Sequence, residues 1–211
     1  YDLPYKGRPQ RAKYKFKDSF NKAKLNLDWN FRRVPLKGTY TIDSENGFLR
    51  LYSSSNIIEN RKRCSLMGIR QKNSDFTFLA KMKFVPNIDG IDAGISLFQK
   101  DDNYITFTVE YFKGDYYLKL ILKEKGLSSA IVQRTPIKSY NGSITFKLIS
   151  ENNSYNIYYA IGNKKTYSLY KKISPVYLLS KGYTGAYLGI YCTSNGKKAN
   201  EFADFEKIEY Y

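Results

Sequence analysis

Short runs in which hydrophobic and polar residues alternate recur along most of this chain. In one of them, Phe76, Phe78 and Ala80 alternate with Thr77 and other residues. A period of two residues is typical of a β-strand that buries one of its faces. Runs of this kind, together with runs rich in β-branched and aromatic residues, predict thirteen strands. They lie at 39–42, 48–52, 65–70, 76–84, 93–99, 104–111, 116–123, 131–134, 143–150, 154–161, 167–173, 186–193 and 203–210.

The predicted strands are separated by short segments rich in Gly, Asn and Asp, such as Asp89 with Gly90 and Asn141 with Gly142. These residues tolerate positive φ and favour the tight turns of antiparallel hairpins. Helix is predicted only as a short piece at 18–27 and a single turn at 176–180. The predicted fold class is therefore all-β, an antiparallel jelly-roll sandwich of two sheets.

The first residues differ in character from the rest of the chain. Residues 1–14 contain Pro4, Gly7 and Pro9 and show no hydrophobic period, so we interpret them as a linker or lead-in and residues 15–211 as one sandwich domain. The sequence begins with Tyr1 rather than Met, from which we expect that an upstream segment was cleaved or omitted. The sequence has no long uncharged apolar run, so no transmembrane helix is predicted. Export to the periplasm or cell surface is the expected localisation.

Basic residues outnumber acidic ones by 35 to 19, which gives a formal net charge of +16. Such a charge attracts polyanions, and polyanion binding is one possible function. The lysines are scattered, however, and many alternate with apolar residues as they would on the solvated face of a strand. The cluster Arg61, Lys62 and Arg63 is short and no nucleic-acid-binding motif is present, so we expect no nucleic acid partner.

The two cysteines, Cys64 and Cys192, are far apart in sequence and cannot form a metal knuckle. Two interpretations stay open. They could form a disulfide in an exported protein, or both could be unpaired thiols that behave as small core residues.

Catalytic residues of several common kinds are absent from the sequence. The chain has no histidine, which excludes Ser-His-Asp and Cys-His chemistry. The Glu-x-Asp-x-x-Glu strand of sandwich glucanases has no counterpart either. We therefore expect no catalytic apparatus in these residues.

A series of short motifs follows in order along residues 16–210. The motifs are Phe16-Lys17-Asp18-Ser19-Phe20, residues 25–35, Phe48-Leu49-Arg50-Leu51, Gly68-Ile69-Arg70-Gln71, residues 76–86, Ala93-Gly94-Ile95 with Asn103-Tyr104, residues 184–191 and Ala203-Asp204-Phe205. In this order they resemble the C-terminal β-sandwich module of family 43 glycoside hydrolases, the β-xylosidase and α-L-arabinofuranosidase group.

The resemblance implies a concanavalin A-like sandwich that packs beside a five-bladed catalytic propeller. Five blades of about 40–50 residues would need a chain as long as this one, so the propeller is not in it. Family members use a loop of the sandwich to narrow the propeller's pocket, and Arg70 and Gln71 match that region. Members often carry His shortly after this pair, where this chain has Lys72, Asn73 and Ser74.

Sugar binding is a second expectation, because flat aromatic rings stack on pyranoses and polar side chains bind their hydroxyls. Xylo- and arabino-polysaccharides are the expected ligands. The candidate residues are Trp29, Phe31, Arg32, Arg70 and Gln71. Trp29 also fits an ordinary core position. A freestanding exported carbohydrate-binding protein is an alternative to the ancillary module.

The resemblance further implies a structural calcium ion that joins the first and last strands. Asp18 and Asp204 are the candidate ligands, and backbone carbonyls would supply the remaining oxygens. The alternative for Asp204 is that it caps a turn or pairs with a lysine.

Overall fold

The computed structural model of this chain describes residues 14–178 and 185–211. This part contains fifteen strands and two short 3-10 helices, Ile58–Asn60 and Pro175–Leu178. The strands are β1 (Phe16–Asp18), β2 (Asn30–Phe31), β3 (Tyr40–Asp43), β4 (Phe48–Tyr52), β5 (Ser65–Arg70), β6 (Phe76–Lys83), β7 (Ile91–Lys100), β8 (Asn103–Phe112), β9 (Asp115–Lys123), β10 (Ile131–Pro136), β11 (Ser143–Glu151), β12 (Ser154–Ile161), β13 (Ser168–Ile173), β14 (Tyr187–Thr193) and β15 (Phe202–Tyr210).

The strands form two antiparallel sheets. The first sheet has the order β13-β12-β11-β6-β15-β4-β3, and β1 also pairs with β15. The second sheet has the order β10-β9-β8-β7-β14-β5-β2. The predicted two-sheet all-β fold is confirmed, and each of the thirteen predicted strands is present with its ends shifted by at most two residues.

Alternation along the strands produces the core between the sheets. Phe76, Phe78, Ala80 and Met82 of β6 are all buried and face the inner side. Across the sandwich, the rings of Phe107 and Phe146 lie edge to face with their centroids 5.3 Å apart. A geometry of this kind adds to the free energy gained by burial alone.

The segment 18–27 is not a helix, so that prediction was wrong. Phe20 has a φ of 53° and its backbone N–H donates to Oδ1 of Asp18 at 2.9 Å. The other carboxylate oxygen accepts from Nε1 of Trp29, also at 2.9 Å. Asp18 therefore directs this segment into bends that carry Phe20 and Trp29 into the core, and a helix is not formed.

Other expectations fall partly outside the described residues. The predicted turn at 176–180 corresponds to the 3-10 helix Pro175–Leu178, and residues 179–180 are not described. Of the predicted linker at 1–14 only Tyr14 is described, so its boundary stays a prediction.

The second sheet is buried on both faces over much of its area. Its outer face carries a second apolar cluster, in which Leu66, Tyr104 and Tyr191 pack against Ile58. Ile58 lies in the 3-10 helix of the long loop that precedes β5, so this loop covers part of the sheet. Charged residues that are buried on the rest of the outer face must then find partners within the protein.

Lys119 provides these partners at the β7-β8-β9 end of the outer face. Its ammonium group donates to Asp92 at 2.6 Å and to Glu110 at 2.9 Å, and the three side chains are only 6%, 2% and 3% exposed. Arg134 also pairs with Glu110, and Asn195 donates to Asp92 at 2.9 Å. Two buried carboxylates are thus compensated by two cations.

The ion pairs in this cluster shift the pKa values of Glu110 and Lys119. Burial by itself raises the pKa of Glu110, but Arg134 and Lys119 outweigh it and hold the pKa below its ordinary value. Burial lowers the pKa of Lys119, and the two carboxylates outweigh it in turn and raise that pKa. Glu110, Lys119 and Arg134 are therefore charged near neutral pH.

The two cysteines are free thiols in the structure. Cys192 is buried in the main core, whereas Cys64 is half-buried beside the outer cluster. Burial raises the pKa of both thiols, so neither is an activated nucleophile.

The ion cluster predicts a specific dependence of stability on pH. Because the folded-state pKa of Glu110 is lowered, its contribution is present above the ordinary pKa of 4.5 and is lost as pH falls through the lowered value. We expect the free energy of unfolding, measured with urea between pH 7 and pH 3, to fall less steeply in Glu110→Gln than in the parent. Glu45→Gln, which changes an exposed turn residue, is the control and should keep the parent slope; equal slopes in all three proteins would contradict the prediction.

Candidate functional site

A pocket of about 170 Å³ opens on the outer face of the second sheet, near its β2 edge. Strands β2, β5, β7 and β14 contribute to it. The lining residues are Asn30, Phe31, Arg32, Leu66, Gly68, Phe98, Gln99, Tyr187 and Gly189. The pocket combines three aromatic rings with several polar side chains.

The floor of the pocket is a pair of glycines. Gly68 of β5 lies opposite Gly189 of β14. A Cβ atom on Gly189 would lie 2.2 Å from the carbonyl oxygen of Met67, and one on Gly68 would lie 2.7 Å from that of Leu188. Neither position can therefore carry a side chain without a backbone shift, and the missing side chains leave the space of the pocket.

Tyr187 and Phe98 form one wall because they are paired across β14 and β7. The guanidinium group of Arg32 lies over the Phe98 ring at 5.9 Å from its centroid. Arg32 is also ion-paired with Asp101 and donates to the carbonyl oxygen of Lys62 at 2.5 Å. These contacts hold Arg32 in place, so its position is preorganised.

Arg70 stands next to the pocket without lining it. It pairs with Tyr187 across β5 and β14, and its Nη2 atom donates to the Tyr187 hydroxyl at 2.8 Å. The Arg70 side chain is exposed. It is therefore a cation at the rim, held over a pocket residue but accessible from outside.

The five predicted sugar contacts thus separate into two groups. Phe31 and Arg32 line the pocket, and Arg70 reaches it through Tyr187. Gln71 points elsewhere, since its side chain contacts the carbonyl oxygen of Asn73 and the Tyr155 hydroxyl.

Trp29 is a core residue in the structure, which corrects its assignment as a sugar platform. Only 6% of it is exposed, and its ring packs against Phe16 and Phe20. The indole N–H is used by Asp18. No ring face is left for a ligand.

Tyr187, Phe98 and the glycine pair were not identified as site residues from the sequence. The alternation of the 186–193 strand places Tyr187 and Gly189 on one face. It does not reveal that Phe98 and Gly68 lie opposite them, which depends on strand register.

The predicted calcium ligands do not fit a shared ion as they stand. Both carboxylate oxygens of Asp204 accept from Arg50, at 2.7 and 2.8 Å, and those of Asp18 are used by Phe20 and Trp29. Within residues 14–178 and 185–211, no three His, Cys, Asp or Glu side chains gather as a metal site. A calcium ion in this protein stays a prediction, and the pairing of Asp204 is with an arginine rather than a lysine.

In the described part of the chain, no helix is long and apolar enough to cross a membrane.

The chain is similar in sequence to known glycosidases. The chain is 30% identical over 168 residues to a xylosidase/arabinosidase of Butyrivibrio fibrisolvens, which covers 79% of this chain and 32% of that protein. It is 22% identical over 202 residues to the non-reducing end α-L-arabinofuranosidase BoGH43B of Bacteroides ovatus, which covers 92% of this chain and 36% of that protein. The chain thus spans about a third of the length of these relatives.

Solved structures show the same fold. The GH43 protein BlXynB of Bacillus licheniformis superimposes with a TM-score of 0.81 at 21% identity, over 99% of this chain and 40% of that one. The family described as the β-xylosidase C-terminal concanavalin A-like domain matches residues 17–211. The chain therefore belongs to this family of C-terminal sandwich domains found in family 43 glycoside hydrolases, as the order of its sequence motifs predicted.

Proposed function

We propose that this chain is the ancillary sandwich of a family 43-type glycoside hydrolase, and that it supports a catalytic propeller and contributes Arg70 to the edge of the propeller's pocket. The observation that carries this proposal is the share of the relatives that the chain covers, since about two thirds of each relative lies outside it. Those relatives are a xylosidase/arabinosidase and an arabinofuranosidase. Xylo- and arabino-oligosaccharides are the corresponding substrates.

Arg70 is suited to the role at the pocket edge. Its guanidinium group is exposed, and the Tyr187 hydroxyl and ring hold it at one position. An arginine fixed in this way loses little conformational entropy when it binds a sugar hydroxyl. Where the family pattern has a histidine shortly after the Arg-Gln pair, this chain has Lys72, Asn73 and Ser74.

The glycine-floored pocket is a site for a neutral sugar in the same proposal. Its volume of about 170 Å³ is below the roughly 300–1,000 Å³ of pockets for larger ligands, which suits a single sugar ring. Phe31, Phe98 and Tyr187 offer apolar rings, while Asn30 and Arg32 offer donors. A freestanding carbohydrate-binding protein would use this pocket in the same way, and export remains the expected localisation.

Replacement of Arg70 tests the ancillary role. In the full-length gene product, Arg70→Ala should raise KM for xylo- or arabino-oligosaccharides by about tenfold, the equivalent of about 1.4 kcal/mol of binding, with a smaller change in kcat. Lys138→Ala, which removes an exposed cation near β10, should leave both constants unchanged. A gene product without glycosidase activity, or equal constants for Arg70→Ala and the parent, would refute the role assigned to Arg70.

Replacement of Tyr187 tests the sugar pocket independently of any propeller. Calorimetric titration of the isolated chain with neutral xylo- and arabino-oligosaccharides should show about tenfold weaker binding in Tyr187→Ala, because a stacking surface is lost. Tyr187→Phe keeps the ring and loses only the hydroxyl that binds Arg70, so it should retain most of the affinity. Equal affinity in Tyr187→Ala and the parent would place the sugar elsewhere, and no binding by the parent would leave the chain as a purely structural companion.

A further inference from the structure

Four basic residues, Arg33, Arg61, Lys62 and Arg63, form a continuous exposed surface where the loop after β2 meets the loop before β5. We call these four residues the basic surface. Among the ion pairs of the described residues none involves any of the four. Their charges are therefore not compensated by carboxylates of the described chain.

Backbone carbonyls hold the two loops together instead. Arg33 Nη2 donates to the carbonyl oxygen of Arg61 at 2.7 Å, and Arg63 Nε donates to that of Val34 at 3.2 Å. The neighbouring Arg32 makes a third such bond to Lys62. A guanidinium group has five N–H donors, so Arg33 and Arg63 are each positioned by a neutral partner and keep their charge and further donors.

The local backbone supports this arrangement. The 3-10 helix Ile58–Asn60 is followed by its C-cap residue Arg61, which has a φ of 55°. A residue in the left-handed conformation commonly ends a helix and reverses the chain there. The reversal at Arg61 starts the short segment that presents Lys62 and Arg63 beside Arg33.

The basic surface is concave. One recess of about 660 Å³ includes all four of its residues, and a second of about 520 Å³ shares Arg33 and Arg61 with the first. Val34 and Leu36 line the first recess and are 79% and 61% exposed. The second recess is also lined by Asp101 and Asp102, and Arg32 pairs with Asp101 there. The first recess is thus the cationic one, an open and shallow channel with four cations and one aliphatic wall.

We propose that this channel binds a polysaccharide that carries uronate groups. The carboxylates would bind the guanidinium groups in the two-pronged geometry that arginine favours, and the apolar faces of the sugar rings would contact Val34 and Leu36. The net charge of +16 attracts such a chain from a distance. The first recess shares no lining residue with the neutral sugar pocket, and the site does not depend on the proposed ancillary role.

Other polyanions fit the channel less well. Single-stranded nucleic acid is held by stacking on aromatic side chains. The first recess is lined by none, and Phe98 in the adjoining recess lies beneath the guanidinium group of Arg32.

Binding of polygalacturonate by the folded chain tests the proposal. The double variant Arg61→Asn with Lys62→Gln removes two charges. It keeps the backbone carbonyl groups of residues 61 and 62, which accept hydrogen bonds from Arg33 and Arg32. Asn also tolerates the left-handed conformation at position 61. At low salt we expect about tenfold weaker binding, and the slope of log affinity against log salt should fall by about one to two. The control, Lys164→Gln with Lys165→Gln, makes the same change in charge in the exposed turn before β13 and should alter the affinity by less than about twofold.

Three results would overturn the proposal. The first is an equal loss of affinity in both double variants, which would indicate non-specific attraction by net charge. The second is no binding of polygalacturonate by the parent, and the third is stronger binding per charge to duplex DNA or to vesicles of anionic phospholipid. A urea unfolding curve for each variant separates loss of binding from loss of folding. Tyr187→Ala should bind polygalacturonate as the parent does, which distinguishes this site from the neutral sugar pocket.

Discussion

The close approach of β5 and β14 at Gly68 and Gly189 is the constraint on which the second sheet and its pocket depend. At this pair a Cβ atom on either residue would overlap the backbone of the neighbouring strand. A one-residue slip in the pairing would bring side chains into this contact and would turn every inner residue of one strand outward. The pair thus fixes the register that places Tyr187 opposite both Arg70 and Phe98.

Burial of both faces makes the second sheet unusual for an antiparallel sandwich, in which one face commonly meets water. The outer face is closed by an apolar contact at Ile58 and by the ion cluster around Lys119. Buried ion pairs contribute little net stability, but removal of one partner is costly because it leaves an unpaired charge. The cluster therefore favours one arrangement of β7, β8 and β9 over alternatives. The pocket near the β2 edge stays accessible on this face.

The sequence was sufficient to predict the strands and their arrangement in two sheets, because the period of two and the glycine-rich turns are local signals. It missed β1 and β2, which have three and two residues and are too short to show a period. It also predicted a helix at 18–27, where the Asp18 carboxylate and the burial of Trp29 decide the conformation. The bond from Phe20 to Asp18 is a local side-chain contact that competes with the helix, whereas the burial of Trp29 is a tertiary effect that overrides local preference.

The sites were less predictable than the fold for a related reason. Phe31 and Arg32 were identified because aromatic and basic residues stand together in sequence, whereas Phe98 and Tyr187 meet only through cross-strand register. In the basic surface, Arg33 and Arg61 are 28 residues apart and are joined by a hydrogen bond to a backbone carbonyl. A contact of that kind depends on loop conformation and leaves no signature in the residue types.

The role of the close approach at Gly189 is tested most directly by the free energy of unfolding in urea, measured for Gly189→Ala and for Gly185→Ala. Gly185 faces open space, so alanine there should be neutral or should stabilise by about 0.4–1 kcal/mol through the unfolded chain. Alanine at Gly189 should destabilise by about 1–3 kcal/mol or more, since the added carbon forces β14 away from the Met67 carbonyl. Equal stability of the two variants would contradict the claim that this close approach determines the register of the second sheet.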